Sequence, residues 1–170
     1  MQKRALSPIL IPMFVSVIGE SHATEKNYQM AEKLGRLLAQ AGCGIICGGL
    51  AGVMEAVAKG AKSAGGQTVG ILPGFRPQEA NPYIDVAIAT GINYARNLAV
   101  VLSGELVIAV GGKYVTLSEI GYALHFDKPV IALNSWRLFK DGKKEAGIIH
   151  VKTPEEAVKK VLAILKKEKK

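Results

Sequence analysis

The sequence predicts an α/β fold of three layers, a doubly wound and mainly parallel sheet between two layers of helices. Three observations predict it. Short apolar runs alternate with segments of helical period along the 170 residues. The runs are continuously apolar, as in VIAV at 107–110, which suits strands buried on both faces of a parallel sheet. Several runs end in glycine just before a helix, as expected where a sheet gathers a ligand beyond the carboxyl ends of its strands.

The elements follow in order. Residues 14–19, FVSVIG, form a strand ending at Gly19, after which Ala31, Leu34, Leu38 and Ala41 recur at helical spacing. Residues 44–47 make a second strand. The turn GGLAG at 48–52 leads from it into a helix with Val53, Val57, Ala61 and Ala64 on one face. A third strand at 68–72 is stopped by Pro73 and Gly74, and a short fourth is expected at 85–89. A helix should run from 93 to about 102, a strong strand from 106 to 110, a helix from 116 to 126 and a strand from 130 to 133. Thr153 then caps the last helix, with Pro154 in its first turn. No linker or shift of composition divides the chain. Residues 13–170 therefore form one expected domain behind an N-terminal arm of residues 1–12.

Composition narrows the function. With 49% hydrophobic residues the chain can bury a real core, yet no apolar run reaches the roughly 18 residues that span a bilayer. The basic start leads into a short apolar patch broken by prolines, an arm rather than a signal peptide. Two cysteines, Cys43 and Cys47, are too few for a disulfide scaffold and favour a reducing cytoplasm. Four apart on a strand they share a face but stand far from each other, so no metal site is expected. The net charge of +8 is concentrated in six lysines and one glutamate between 159 and 170. Aromatics are few and do not interleave with basic residues. The charge is that of a solvated C-terminal helix rather than a nucleic-acid surface.

The candidate site lies in the glycine turns. Gly111 and Gly112 end a strand, and Thr116 and Glu119 follow with capping-box spacing at the expected helix start. A glycine turn aimed at a helix N-terminus lets backbone N–H groups approach a phosphate. Gly48, Gly49 and Gly52 repeat the plan after the second strand, and Gly19 with Ser21 does so after the first. The spacing is not G-x-G-x-x-G, so a small phosphorylated ligand is expected and not NAD. Glu119 can serve as general base, hold ribose hydroxyls, or simply cap. Arg96, opening its helix, can clamp a phosphate bidentately or pair on the surface. Glu55 is equally ambiguous. Ser21 and Thr24 contact ligand or cap the next helix; His22 belongs to a surface loop; Asn134, Ser135 and Trp136 can form a rim.

Residues 48–57, residues 65–73, the triplet Ala95-Arg96-Asn97 and residues 111–119 stand in the order and spacing of one family. From about Val15 to Leu133 the chain resembles the Rossmann-like superfamily of the Lonely Guy (LOG) phosphoribohydrolases, the molybdenum-cofactor carrier proteins and the DprA/Smf-related proteins. It is most similar to a small prokaryotic branch near the carriers. LOG enzymes hydrolyse the N-glycosidic bond of nucleoside 5′-monophosphates, with a P-G-G-x-G-T-x-x-E signature and an upstream Arg-Lys pair. The resemblance implies that Glu119 and Arg96 are catalytic and that Gly111, Gly112, Lys113 and Thr116 bind phosphate. The chain departs from the signature: Gly111 replaces the proline, Lys113 and Val115 replace two glycines, and Asn97 replaces the lysine. Lys113 adds a charge where donors are lost, but Val115 does not readily take the positive φ of a glycine. Binding survives these changes more easily than hydrolysis.

Three function classes follow from the resemblance. The first is a nucleotide or phosphoryl-ligand binder that hydrolyses nucleoside monophosphates. The second is a non-catalytic carrier or sensor of a pterin-type (molybdenum) cofactor or a signalling nucleotide. The third and weakest is DNA binding of the DprA type. Lysine decarboxylation, an old label among relatives, has no support, since no lysine is placed to form a PLP imine. Apolar residues spread widely around the helices at 93–102 and 116–126, and relatives assemble through such helices, so a homo-oligomer is expected.

Overall fold

Seven parallel strands run through the computed structural model, which describes residues 13–167. The arm expected at residues 1–12 and the last three residues of the lysine-rich tail lie outside the described residues. The strands are β1 (Met13–Gly19), β2 (Cys43–Cys47), β3 (Thr68–Leu72), β4 (Val86–Ala89), β5 (Val107–Val110), β6 (Val130–Leu133) and, beyond a small antiparallel hairpin of β7 (Phe139–Lys140) and β8 (Lys143–Lys144), β9 (Ile148–Val151). Their order across the sheet is β4-β3-β2-β1-β5-β6-β9. The helices are α1 (Glu25–Gln40), α2 (Val53–Ser63), α3 (Arg96–Ser103), α4 (Tyr114–His125) and α5 (Pro154–Lys167).

The period of two along each buried strand builds the three layers. Val15 and Val17 of β1 face one way, into a core closed by α1, α2 and α5. Ile18 faces the other way, into a second core with Val100 and Val101 of α3 and Ile120 and Ala123 of α4. Ile108 and Ala109 of β5 divide between the cores in the same manner. Each fully buried Val, Leu or Ile contributes roughly 1.5–3 kcal/mol relative to exposure. Continuous apolar runs therefore stabilise the sheet from both sides. Along α5 the lysines at 159, 160, 166 and 167 are exposed while Ala157, Val161 and Leu165 are buried, as the solvated-helix reading expects.

Topology positions the site. From β1 the sheet grows outward through β2, β3 and β4, then restarts at β5 on the other side of β1, with Ser16 paired to Val107 and Gly19 to Val110. The connections after β1 and β5 leave on opposite faces, and a crevice opens between them at the carboxyl edge.

Three local expectations need correction. The helix expected at 93–102 begins with a 3-10 turn, Asn93–Ala95, and α3 proper starts at Arg96. The edge strand β9 and the hairpin were not foreseen, because β9 is short and broken in pattern by His150. The third correction concerns Thr116 and Glu119, which do not form a capping box. Gly111 and Gly112 complete the turn at φ +57° and +100°, and the chain is already helical at Tyr114. Lys113 is the N-cap residue, without a side-chain cap. Thr116 lies third in the helix and Glu119 sixth, so neither can reach the donors that a capping box satisfies. Val115, inside the helix, needs no positive φ.

Candidate functional site

A cleft of about 300 Å³ opens where β1, β2 and β5 end. Gly19, Ser21, Gly48, Arg96, Lys113, Thr116 and Glu119 line it, together with Leu50, Met54, Tyr94 and Val115. Arg96 and Glu119 come from facing helices on one side of the sheet, and Gly48 comes from the turn after β2.

Arg96 is 8% exposed, although the pattern allowed a surface ion pair. Its Nε has no hydrogen-bond partner, and among the described residues it forms no salt bridge. The guanidinium lies over the backbone of Gly48, where a Cβ would collide with it and with the Met54 sulfur. Burial lowers its pKa, and nearby Glu119 partly restores it. A buried cation short of acceptors is unfavourable until an anion supplies them. Lys113, lining the same cleft, adds a second positive charge, and the uncapped start of α4 leaves first-turn N–H donors open.

Glu119 is 5% exposed, one helical turn beyond the buried Thr116. Burial pushes its pKa up to about 7, with the opposing attraction of Arg96 too weak to cancel the desolvation. The carboxyl therefore exchanges its proton near neutral pH, as a general acid or base must.

A second cleft of about 330 Å³ lies on the other side of the loop at 111–113, lined by Glu20, Thr24, Asn27, Gly111, Gly112, Asn134, Ser135 and Trp136. Gly111 and Gly112 thus face this cleft and Lys113 the first. The Trp136 Nε1 donates to the Lys113 carbonyl at 3.2 Å, and its ring stands 5.9 Å from that of Tyr114, forming a rim.

Two expected residues stand outside both clefts. Gly49 packs against Leu72 and Gly70; its N–H donates to the Cys47 sulfur at 3.4 Å and its carbonyl accepts from Asn81. Gly52 presses on the Glu20 and Ser21 carbonyls at φ +70°. Burial raises the Cys47 thiol to about 11, so it stays protonated beneath the turn. Glu55 accepts from the Tyr28 hydroxyl at 3.1 Å and joins α1 to α2 rather than facing a ligand. Thr24 caps α1 by accepting from the Asn27 N–H, whereas exposed Ser21 lines the cleft beside exposed His22. Asn27 carried no local signal, since its role depends on Asn134, 107 residues away. Among the described residues no His, Cys, Asp or Glu group is placed to hold a metal ion, and no helix is long and apolar enough to cross a membrane.

A family model described as the SLOG cluster4 family matches residues 12–158. The chain belongs to the SLOG cluster4 family. Another protein similar to this SLOG cluster4 chain, an uncharacterised one from Archaeoglobus fulgidus, is 43% identical over 146 residues, 86% of this chain and 92% of its own. The molybdenum cofactor binding protein of Rippkaea orientalis is 32% identical, at a TM-score of 0.82 over 92% of this chain and 99% of its own. The molybdenum cofactor carrier protein of Chlamydomonas reinhardtii is 30% identical, at a TM-score of 0.80 over 91% of this chain and 99% of its own. The resemblance read from residues 48–57, 65–73, 95–97 and 111–119 is borne out: this SLOG cluster4 chain is a Rossmann-like, nucleotide- or ligand-binding protein of the LOG-like superfamily.

Proposed function

We propose that the protein holds a phosphorylated, pterin-type cofactor in the switch-point cleft and passes it on unchanged. The observation that carries this reading is the buried Arg96 guanidinium, unpartnered at Nε and laid over Gly48, with Lys113 lining the same cleft. A phosphate monoester supplies the fork of acceptors that this arginine lacks. The likeness to one molybdenum cofactor binding protein and one carrier, across nearly their whole lengths, supports a pterin over other phosphates. The loop also favours carriage over hydrolysis. Two glycines of the hydrolase signature are here Lys113 and Val115, and α4 starts before Val115, which shortens the backbone cradle.

Protein purified from a host that makes the cofactor should release a fluorescent pterin on oxidative denaturation, close to one per chain. Arg96→Ala should retain at least about tenfold less, the scale of a lost charge-assisted hydrogen bond. A wild-type protein that carries no pterin above background overturns the reading.

A second reading is favoured by Glu119, whose pKa near 7 suits a glycosidic hydrolase. On that reading the protein releases base from nucleoside 5′-monophosphates, and Glu119→Gln lowers turnover at least about a hundredfold. Absence of base release by wild type over hours eliminates it.

Leu102 on α3, Val115 and Tyr122 on α4, and Phe126 just past its end are each more than a third exposed. We infer that a second copy of the chain covers them. Light scattering should give a dimer or larger assembly; a monomer at micromolar concentration refutes this.

A further inference from the structure

We propose that the second cleft reads a 2-aminopyrimidinone ring, and that Glu20 is the specificity residue, accepting from the ring N–H and the exocyclic amine. The inference rests on the carrier reading and names the residue that recognises the heterocycle.

Three elements hold this one carboxylate in place. The Asn134 Nδ2 donates to the Asn27 Oδ1 at 2.7 Å, and the Asn27 Nδ2 donates to the Glu20 Oε1 at 2.8 Å. Asn27 is 5% exposed, and both ends of its amide are engaged, so a flip would set donor against donor. Asn134 takes φ +51° directly after β6, a conformation that asparagine tolerates better than most residues. Gly111 leaves room for the arrangement, since a Cβ there would strike the Asn27 amide and crowd the Glu20 Oε1. A carboxylate serving only solubility needs no such relay.

The relay leaves Glu20 with spare acceptors. Among the described residues no hydrogen bond engages its Oε2, and none of the ion pairs reaches it. A fixed carboxylate without a cationic partner favours a ligand that offers two adjacent N–H donors. The N–H and amine edge of a 2-aminopyrimidinone does so, and pterins and guanine share that edge. Trp136 gives the cleft a flat apolar wall against which such a ring can lie. Glu20 borders both clefts and Lys113 stands on the loop between them. A ring beside Glu20 and a phosphate beside Arg96 can thus belong to one ligand.

The test compares ligands that differ only at the amine: 6-hydroxymethylpterin against 6-hydroxymethyllumazine, and guanosine against inosine 5′-monophosphate. Affinities come from equilibrium dialysis. Quenching of Trp136, the single tryptophan of the chain, reports occupancy of the second cleft. The expected result is a preference of at least about tenfold for the pterin over the lumazine, with quenching, that falls toward one in Glu20→Gln. Should that variant not fold, Asn134→Ala, which frees the relay but keeps the carboxylate, should reduce the preference severalfold. A preference confined to the guanine pair supports the edge recognition but overturns the pterin as source. Equal binding of both pairs, a preference that survives in Glu20→Gln, or binding without quenching overturns the inference alone. No binding by any of the four ligands overturns it together with the carrier reading.

Discussion

The turn after β2 and the turn after β5 look alike in sequence, each a pair of glycines leading into a helix, yet the structure uses them differently. The first is closed. The N–H of Gly49 goes to the Cys47 sulfur, the N–H of Val53 goes to the Glu20 carbonyl, and Gly52 is wedged against the β1 loop. Of its glycines only Gly48 reaches the cleft, beside Leu50, and it does so by lacking a side chain. The second turn is open: it has clefts on both sides, and α4 begins there without a cap. Glycine spacing reports that the backbone turns sharply. It does not report whether the freed N–H groups face a ligand or the protein itself.

The largest test of this contrast is Gly52→Ala. Its Cβ would overlap two carbonyls at a positive φ, so the variant should lose about 3 kcal/mol. That corresponds to roughly 6–12 °C of melting temperature for a chain of this size. A melting temperature within about 2 °C of wild type would show that the closed turn is not closed.

Next comes Glu119→Gln, followed by chemical denaturation across pH. The folded carboxyl titrates near 7 against an ordinary value of 4.5. The native state therefore binds more protons than the unfolded state between those values, and wild-type stability falls as pH rises from about 4.5 through 7. The glutamine variant lacks this loss. It should match wild type near pH 4 and exceed it by about 3 kcal/mol above pH 8. Parallel pH profiles would place Glu119 in a more hydrated setting.

The smallest expected change in stability is Lys113→Ala, in the open turn. Folding should shift by less than about 0.5 kcal/mol, while affinity for a phosphorylated ligand drops about tenfold, as for the loss of one charge-assisted contact. Unchanged affinity would assign the anion to Arg96 alone.

Much of the fold was legible because a parallel sheet buries its strands on both faces, and continuous apolar runs such as those at 107–110 and 130–133 announce it. Arg96 was singled out because it opens the helix leading into β5, and Glu119 because it follows the glycine turn; both line the first cleft. The start of α4 was not legible, because Gly112, Lys113 and Tyr114 allow either a longer turn or an early helix, and packing decides between them. The Glu20–Asn27–Asn134 relay was invisible for a different reason. It joins β1, α1 and the end of β6, and no local pattern marks an asparagine whose partner lies 107 residues away.

The pairing of β1 with β5 also governs how the protein acquires its cleft. Ser16 meets Val107 only when the two halves of the sheet dock, a contact between residues 91 apart in the chain. Gly48 belongs to the first half, Arg96 opens the crossover helix α3 that packs on β1, β2 and β3, and Glu119 belongs to the second half. Neither half supplies the whole lining of the cleft by itself. Such long-range pairing is slow to form, and a ligand that binds only the docked state adds its binding free energy to that state alone. An occupied protein should therefore unfold more slowly than an empty one while folding at the same rate. A bound ligand then acts as a clasp on the seam between the two halves.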